Sequence, residues 1–189
     1  MELTRVLRQR RDAVLGKWFD LIIATYPPES SRLLGGNKDQ FGNPIGYSIT
    51  KGIEGVYDQL ISTMNTDDLR SALDEIIRVR AIQEFTPSEA IAFVFRLKTV
   101  VREVLGEQVG TKGHGHTGGY TEEMKVLDSR IDEVAMLAFD VYMERREKFH
   151  DIRASEIKKS SIRLMERLNQ RPATFQNKGE PIDDVGRNT

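Results

Sequence analysis

The residues best suited to chemistry are two arginines, Arg78 and Arg80, which lie two positions apart in a segment with helical spacing. Successive helical residues are turned by about 100°, so these side chains point roughly 200° apart and at most one faces the core. A buried arginine must be paired, because an isolated charge is costly in an apolar interior. Asp132 and Asp140 on the last helix are natural partners. The first interpretation of the inward arginine is therefore a structural ion pair that fixes the register of the helices.

A second reading of the same arginines is a binding pocket. Arg78 or Arg80, together with Gln83 and Trp18, would supply a cation, an amide and an indole N–H to an anion or a small molecule. The sequence leaves the ion pair and the pocket open.

The histidines offer a weaker possibility, a metal site. His114 and His116 form the only histidine pair, with Glu122 and Glu123 nearby in sequence. A protein zinc site needs three or four ligands whose orientation is fixed by further hydrogen-bond partners. The glycines around the two histidines have no side chains that could fix them, so a solvated loop is the favoured interpretation. His150 lies in a charged stretch that does not suit a haem ligand. The sequence therefore predicts no metal, no cofactor and no catalytic site.

The composition is that of a water-soluble globular protein. The 189 residues include 39% apolar and 30% charged residues, no cysteine and a net charge of −1. Disulfides and thiol chemistry are excluded, and the near-neutral charge does not favour binding to nucleic acid or to an anionic membrane. The charged start of the chain does not resemble a signal peptide, which favours a cytoplasmic location.

The elements that must position these residues are all helical, and the expected fold is an all-α bundle of about five helices. Helical spacing and start signals place them at Thr4–Ala24, from an Asn43 cap to Met64, from Thr66 through Arg80, from Thr86 to Leu105, and at about Tyr120–Asn169. A four-helix bundle with an added helix and a globin-like arrangement both fit this order. Gly46, Gly52 and Gly55 in the second helix allow close helix packing or room for a ligand, and close packing is favoured.

The fifth predicted helix is longer than a compact domain of this chain length is wide. Fifty residues span about 75 Å, whereas a compact chain of this length is only about 40 Å across. We expect a helical sensory bundle at residues 1–143, a projecting coiled-coil helix at 144–170 and a disordered tail at 171–189. The residues expected to transmit a signal or to form a homodimer are Asp140, Ile157, Leu164 and Leu168.

Several stretches resemble the N-terminal domain of the RsbRD-type RsbT co-antagonists, over roughly residues 5–160. They are Trp18 with Tyr26 and Pro27, Phe41 to Gly46, Arg78 to Ala90, and Ala138 to Met143 with the arginines that follow. The resemblance implies a helical input domain of bacterial signalling proteins. It also implies a globin-like relative without haem, placed ahead of an output module, and it supplies no catalytic residues.

The function expected from the sequence is therefore non-catalytic sensing or regulation. A ligand or a protein partner would act on the bundle, and the last helix would transmit the change to a signalling partner protein. The alternative is an adaptor that docks a partner without a small-molecule ligand. A metal-dependent enzyme built on His114 and His116 is the weakest of the three hypotheses.

Overall fold

The computed structural model of the chain describes residues 2–36, 39–83, 85–109 and 121–169, and these residues form seven helices and no strand. The helices are α1 (Glu2–Gln9), α2 (Arg11–Ile23), α3 (Pro28–Gly35), α4 (Pro44–Leu60), α5 (Thr66–Ile82), α6 (Pro87–Val109) and α7 (Thr121–Asn169). The all-α prediction and the long last helix are confirmed. The tail predicted at residues 171–189 lies outside the described residues.

The first predicted helix is in fact two helices that meet at Arg10. Its backbone lies at φ −105° and ψ 14°, outside the helical region. The buried residues are Leu3, Val6 and Leu7 in α1 and Val14, Leu15, Trp18, Phe19 and Ile22 in α2. On one continuous helix these two sets would face directions roughly 100° apart, so the turn brings both apolar faces onto the core.

Helix α3 lies in the stretch after the first predicted helix, where the sequence indicated no helix. Pro27 and Pro28 do follow the end of α2, but Pro28 also occupies the first turn of α3, a position that needs no N–H donor. The short helix buries Leu34. The Asn43 side chain then joins α3 to α4: its amide donates to the Leu34 carbonyl at 2.9 Å and its oxygen accepts from the Gly46 amide at 2.9 Å.

The start of α6 confirms the capping box in the sequence. The Thr86 amide donates to the Glu89 carboxylate at 2.9 Å, and the Glu89 amide donates to the Thr86 hydroxyl at 3.4 Å. These bonds satisfy two amides that a helix start leaves without a partner. The bonds from Thr86 also hold the pKa of the Glu89 carboxyl below its usual value.

One continuous apolar core joins the helices. Its fully buried side chains include Trp18, Ile22, Ile49, Ile53, Leu73, Ile76, Phe93, Val94, Val100, Ile131, Val134 and Ala138. They come from α2, α4, α5, α6 and the first part of α7. None of the helices in the described part of the chain has a stretch apolar enough to cross a lipid bilayer.

The first part of α7 is tied to three other helices by polar side chains. Arg130 donates to the Leu60 carbonyl at the end of α4, and Arg145 pairs with Asp74 on α5. Lys98 on α6 pairs with Asp132 at 2.7 Å. These bonds supplement the apolar packing of α7 and hold its register against the bundle.

The chain divides into two units, Met1–His150 and Asp151–Thr189. The first contains α1 to α6, α7 through His150, and the whole of the buried core. In the second, residues 151–169 are helical and all of their side chains are exposed.

The start of α1 yields a first testable prediction. The Glu123 carboxylate on α7 accepts the Glu2 amide at 3.2 Å and the Leu3 amide at 2.9 Å. Glu123→Gln removes the charge that favours a helix N-terminus and one of the two acceptors, so we expect a loss of about 1 kcal/mol. Hydrogen exchange should be faster in α1 and unchanged in α5. Equal exchange of α1 in the variant and the wild type would show that this contact does not anchor the helix.

Candidate functional site

The most unusual side chain of the described residues is Arg80, near the end of α5. It is fully buried, with 0% of its surface exposed. Three aromatic rings surround the guanidinium: its Cζ lies 4.2 Å from the Phe85 ring centre, 5.5 Å from that of Tyr26 and 5.9 Å from that of Phe93. A cation over aromatic faces is stabilised by the ring quadrupoles. Tyr26 lies in the α2–α3 connection, Phe85 in the α5–α6 connection and Phe93 in α6. Arg80 and these three aromatic residues are called the Arg80 cluster below.

The hydrogen bonds of Arg80 are incomplete. Its Nη2 donates to the Thr25 hydroxyl and to the Glu89 carbonyl, each at 3.2 Å. Its Nε and Nη1 are buried and have no acceptor among the described residues. The Gln83 side-chain oxygen is also buried without a partner among the described residues. The Tyr26 hydroxyl lies close enough to Arg80 to act on its charge, but it meets no described residue at hydrogen-bond geometry. Buried polar groups of folded proteins are nearly always paired, so a cluster of four such atoms in three neighbouring residues needs an explanation.

The prediction that an inward arginine pairs with Asp132 or Asp140 is wrong. Asp132 binds Lys98 instead, and Asp140 is exposed on α7. No carboxylate among the described residues forms a salt bridge with Arg80. The sequence could not exclude either aspartate, since each lies on a helix that does pack against the bundle.

The local electrostatics follow from this burial. Burial lowers the pKa of Arg80, and the Tyr26 hydroxyl partly offsets the effect. Burial likewise raises the pKa of the Tyr26 phenol, while the charge of Arg80 lowers it. An arginine stays protonated in proteins, so the cluster contains a buried positive charge beside a neutral phenol.

The structure does not bring the four residues of the predicted pocket into a single site. Trp18 and Arg80 both lie near Phe93. The Trp18 ring centre lies 6.1 Å from that of Phe93, and its indole N–H donates to the Phe93 carbonyl at 2.8 Å. Gln83 ends α5 one turn after Arg80. Arg78 has other neighbours, since its Nη2 donates to Ser48 at 3.1 Å and to Glu75 at 2.7 Å at the surface.

Sequence analysis missed the aromatic residues of the cluster. Tyr26 follows the end of α2 and Phe85 lies in the α5–α6 connection, so neither belongs to a helical stripe. Their rings pack edge to face, with centres 5.4 Å apart. The only signal available was that both are aromatic residues in segments between helices.

Two side chains of α7 hold the segment that contains Phe85. The Tyr142 hydroxyl donates to the Phe85 carbonyl at 3.1 Å, and Arg146 donates to the Ala81 carbonyl at 3.0 Å. Tyr142 is itself buried. The backbone that positions the Phe85 ring over Arg80 is therefore bonded directly to α7.

The other side of α7 is apolar and uncovered. In the first unit its exposed apolar side chains include Met136, Phe139 and Met143. Asp140 and Met143 line an open surface groove of about 680 Å³ between α5 and α7. In the second unit Ile157, Leu164 and Leu168 are all more than half exposed. A helix with uncovered apolar residues at this spacing has the form of a docking surface.

The metal hypothesis gains no support from the structure. His114 and His116 lie outside the described residues. Within residues 2–36, 39–83, 85–109 and 121–169, no three His, Cys, Asp or Glu side chains are grouped as a metal site requires.

Residues 12–157 match the family described as the RsbT co-antagonist protein rsbRD N-terminal domain. No curated protein and no solved structure matches the chain. The matched range includes Arg80, its three rings and the part of α7 that holds Phe85. The family is one of regulatory signalling domains in the stress response. The match covers most of the chain and confirms the resemblance found in its sequence, so the protein belongs to the rsbRD N-terminal domain family of RsbT co-antagonists.

Proposed function

We propose that this protein is a non-catalytic, cytoplasmic sensory domain that receives a ligand or a protein partner and transmits the change through α7 in a homodimer. The observation that supports this most directly is the double role of α7. Tyr142 and Arg146 of this helix bond to the α5–α6 connection beside Arg80, and the same helix continues to Asn169 with its apolar residues uncovered.

The proposed coupling segment is residues 144–170, directly after the core-packed part of α7. Ala154, Ile157, Ser161, Leu164 and Leu168 follow alternating steps of three and four residues, the spacing of a coiled-coil seam. Two copies paired along this seam would bury Ile157 and Leu164 against each other. A change at the α5–α6 connection can shift such a pairing only if it favours one arrangement of α7 over another.

Self-association of the full chain tests this function. We expect a dimer for the wild type and a monomer for Ile157→Glu/Leu164→Glu. Burying an isoleucine or leucine contributes about 1.5–3 kcal/mol, so the dissociation constant should rise at least about a hundredfold. Light-scattering mass measures the state, and circular dichroism should show that helix content is kept.

The matched control is Ile152→Glu/Ile162→Glu. These isoleucines are also exposed on α7, but each lies five positions from Ile157, about 140° away around the helix. Their replacement should leave the mass unchanged. If both double variants behave like the wild type, or if both dissociate, the 154–168 seam is not the interface.

A second candidate is an adaptor that docks a protein partner without a small ligand. The exposed Met136, Phe139 and Met143 beside the groove of Asp140 favour it, because methionine and aromatic side chains are frequent at protein interfaces. This candidate predicts that no small molecule stabilises the isolated domain.

A further inference from the structure

The Arg80 cluster has the composition of an anion-binding site, with a buried cation, free N–H donors and apolar walls. An arginine has five N–H bonds, and the two on Nη2 are used by Thr25 and Glu89. The N–H on Nε and the two on Nη1 have no acceptor in the part of the chain that the structure describes. Cation–π contacts stabilise the charge of the guanidinium, but they provide no hydrogen-bond acceptor for its N–H groups.

We propose that Arg80 is the anchor of a buried site for a small organic carboxylate, enclosed by Tyr26, Phe85 and Phe93. This deepens the proposed function, on which it rests, by naming the chemical class of the ligand. The carboxylate would accept from the free N–H groups of Arg80, and the Tyr26 hydroxyl would donate to it as well. Three unpartnered donors of the protein would then be satisfied by one ligand group.

The charge and the surroundings favour an organic monoanion over phosphate. Arg80 is the only buried cation of the described residues, and the two charges that also act on it, Arg96 and Glu89, have opposite signs. One negative charge therefore neutralises the site, whereas a dianion would leave a buried excess of charge. The three rings offer an apolar lining for the organic part of the ligand. Small-molecule sites have this pattern of apolar walls with a few convergent polar groups.

Phe85 links the site to α7. Its ring is only partly buried and lies closest to the guanidinium, so a ligand reaches Arg80 by displacing this ring. The Phe85 carbonyl accepts the Tyr142 hydroxyl, and Ala81 next to Arg80 accepts Arg146. A ligand at Arg80 therefore acts on the segment that α7 holds.

The test is thermal unfolding of the full chain with sodium acetate, sodium benzoate or sodium phosphate at constant pH and ionic strength. We expect benzoate and acetate to raise Tm in a saturable way, by about 5–10 °C at a hundredfold excess over Kd, and phosphate to have no such effect. Trp18 is the only tryptophan and packs on Phe93, so its fluorescence should report the same titration independently of stability.

Arg80→Met is the decisive variant. Arg80 has no ion-pair partner among the described residues, and replacing buried charged groups by apolar side chains of similar volume is often neutral or stabilising. We therefore expect Tm of the ligand-free variant to be no lower than that of the wild type, and its response to carboxylates to be lost. Arg102→Met, which removes a surface arginine on α6, should keep the full response.

Two results would overturn the proposal. If no carboxylate stabilises the wild type and Arg80→Met lowers Tm sharply, Arg80 is a structural cation served by its rings. If phosphate stabilises and the carboxylates do not, the ligand class is wrong. Should Arg80→Met fail to fold, Arg80→Lys decides: we expect binding at least tenfold weaker, and unchanged affinity would place the site elsewhere.

The experiments can refute the ligand site and the proposed transmission independently of each other. If carboxylates bind but change the light-scattering mass of neither the wild type nor the α7 variants, the ligand site stands and transmission through the seam is refuted. Dissociation by Ile157→Glu/Leu164→Glu with no carboxylate binding would keep the dimer and refute the ligand.

Discussion

Replacing Trp18 by alanine should lower the free energy of unfolding by about 3–5 kcal/mol, the usual cost of removing a large aromatic side chain from a packed core. Trp18 is fully buried, packs on Phe93 and donates its indole N–H to the Phe93 carbonyl. Phe93 also lies near Arg80, so the cavity left by the missing indole would loosen one wall of the Arg80 cluster. Urea unfolding followed by circular dichroism measures the loss.

Two variants calibrate this prediction. Trp18→Phe keeps a ring and loses the hydrogen bond, so we expect an intermediate loss of about 1–3 kcal/mol. Phe41→Ala removes an aromatic ring that is 92% exposed and should change stability by less than about 0.5 kcal/mol. If Trp18→Ala costs no more than Phe41→Ala, the region around Phe93 is not the rigid core described, and Trp18 would have to be reconsidered as a ligand contact.

The parts of the fold that the sequence predicts well are those determined by local chemistry. Thr86 and Glu89 cap α6 with bonds between residues three positions apart, and Asn43 caps α4 in the same way. The buried face of α7 is likewise visible as a three-and-four spacing from Leu127 to Tyr142. In each case the signal and the structure that it produces lie within a few residues of each other.

The turn at Arg10 and helix α3 were not predictable in this way. Neither proline nor glycine marks the turn, which exists because α1 and α2 must bury faces of different direction against the same bundle. Pro28 is compatible with both a stop signal and the first turn of a new helix. Both outcomes depend on packing partners that are distant in sequence.

The candidate site was predictable only in part. Their spacing predicts that at most one of the two arginines faces the core, and Arg80 is the one that does. Its surroundings depend on which rings the tertiary structure brings together, and Tyr26 and Phe93 lie 54 and 13 positions away in sequence. From the sequence an aspartate is therefore the expected partner of Arg80, whereas in the structure aromatic rings surround it.

The close packing of α4 against α5 yields the second large effect, in a glycine to alanine substitution. A Cβ at Gly52 would lie 2.8 Å from the Ala72 carbonyl oxygen and would overlap the Ile76 side chain. Ile76 is fully buried, and the carbonyl belongs to the α5 backbone, so neither can yield unless the helices separate. The structure thus favours close helix approach at Gly52 over room for a ligand. We expect Gly52→Ala to lower the free energy of unfolding by about 2 kcal/mol or more.

The sign of this effect is what makes the prediction informative. Alanine is a better helix former than glycine by about 1 kcal/mol, so an unhindered glycine in a helix should become more stable on this change. Gly16 in α2 is such a position, because a Cβ there meets no atom within 4 Å. Gly16→Ala should therefore stabilise the protein by up to about 1 kcal/mol, whereas Gly52→Ala destabilises it. Stabilisation by both substitutions, measured by urea unfolding, would mean that α4 and α5 are farther apart than described. The α5 backbone, and with it the position of Arg80, would then need revision.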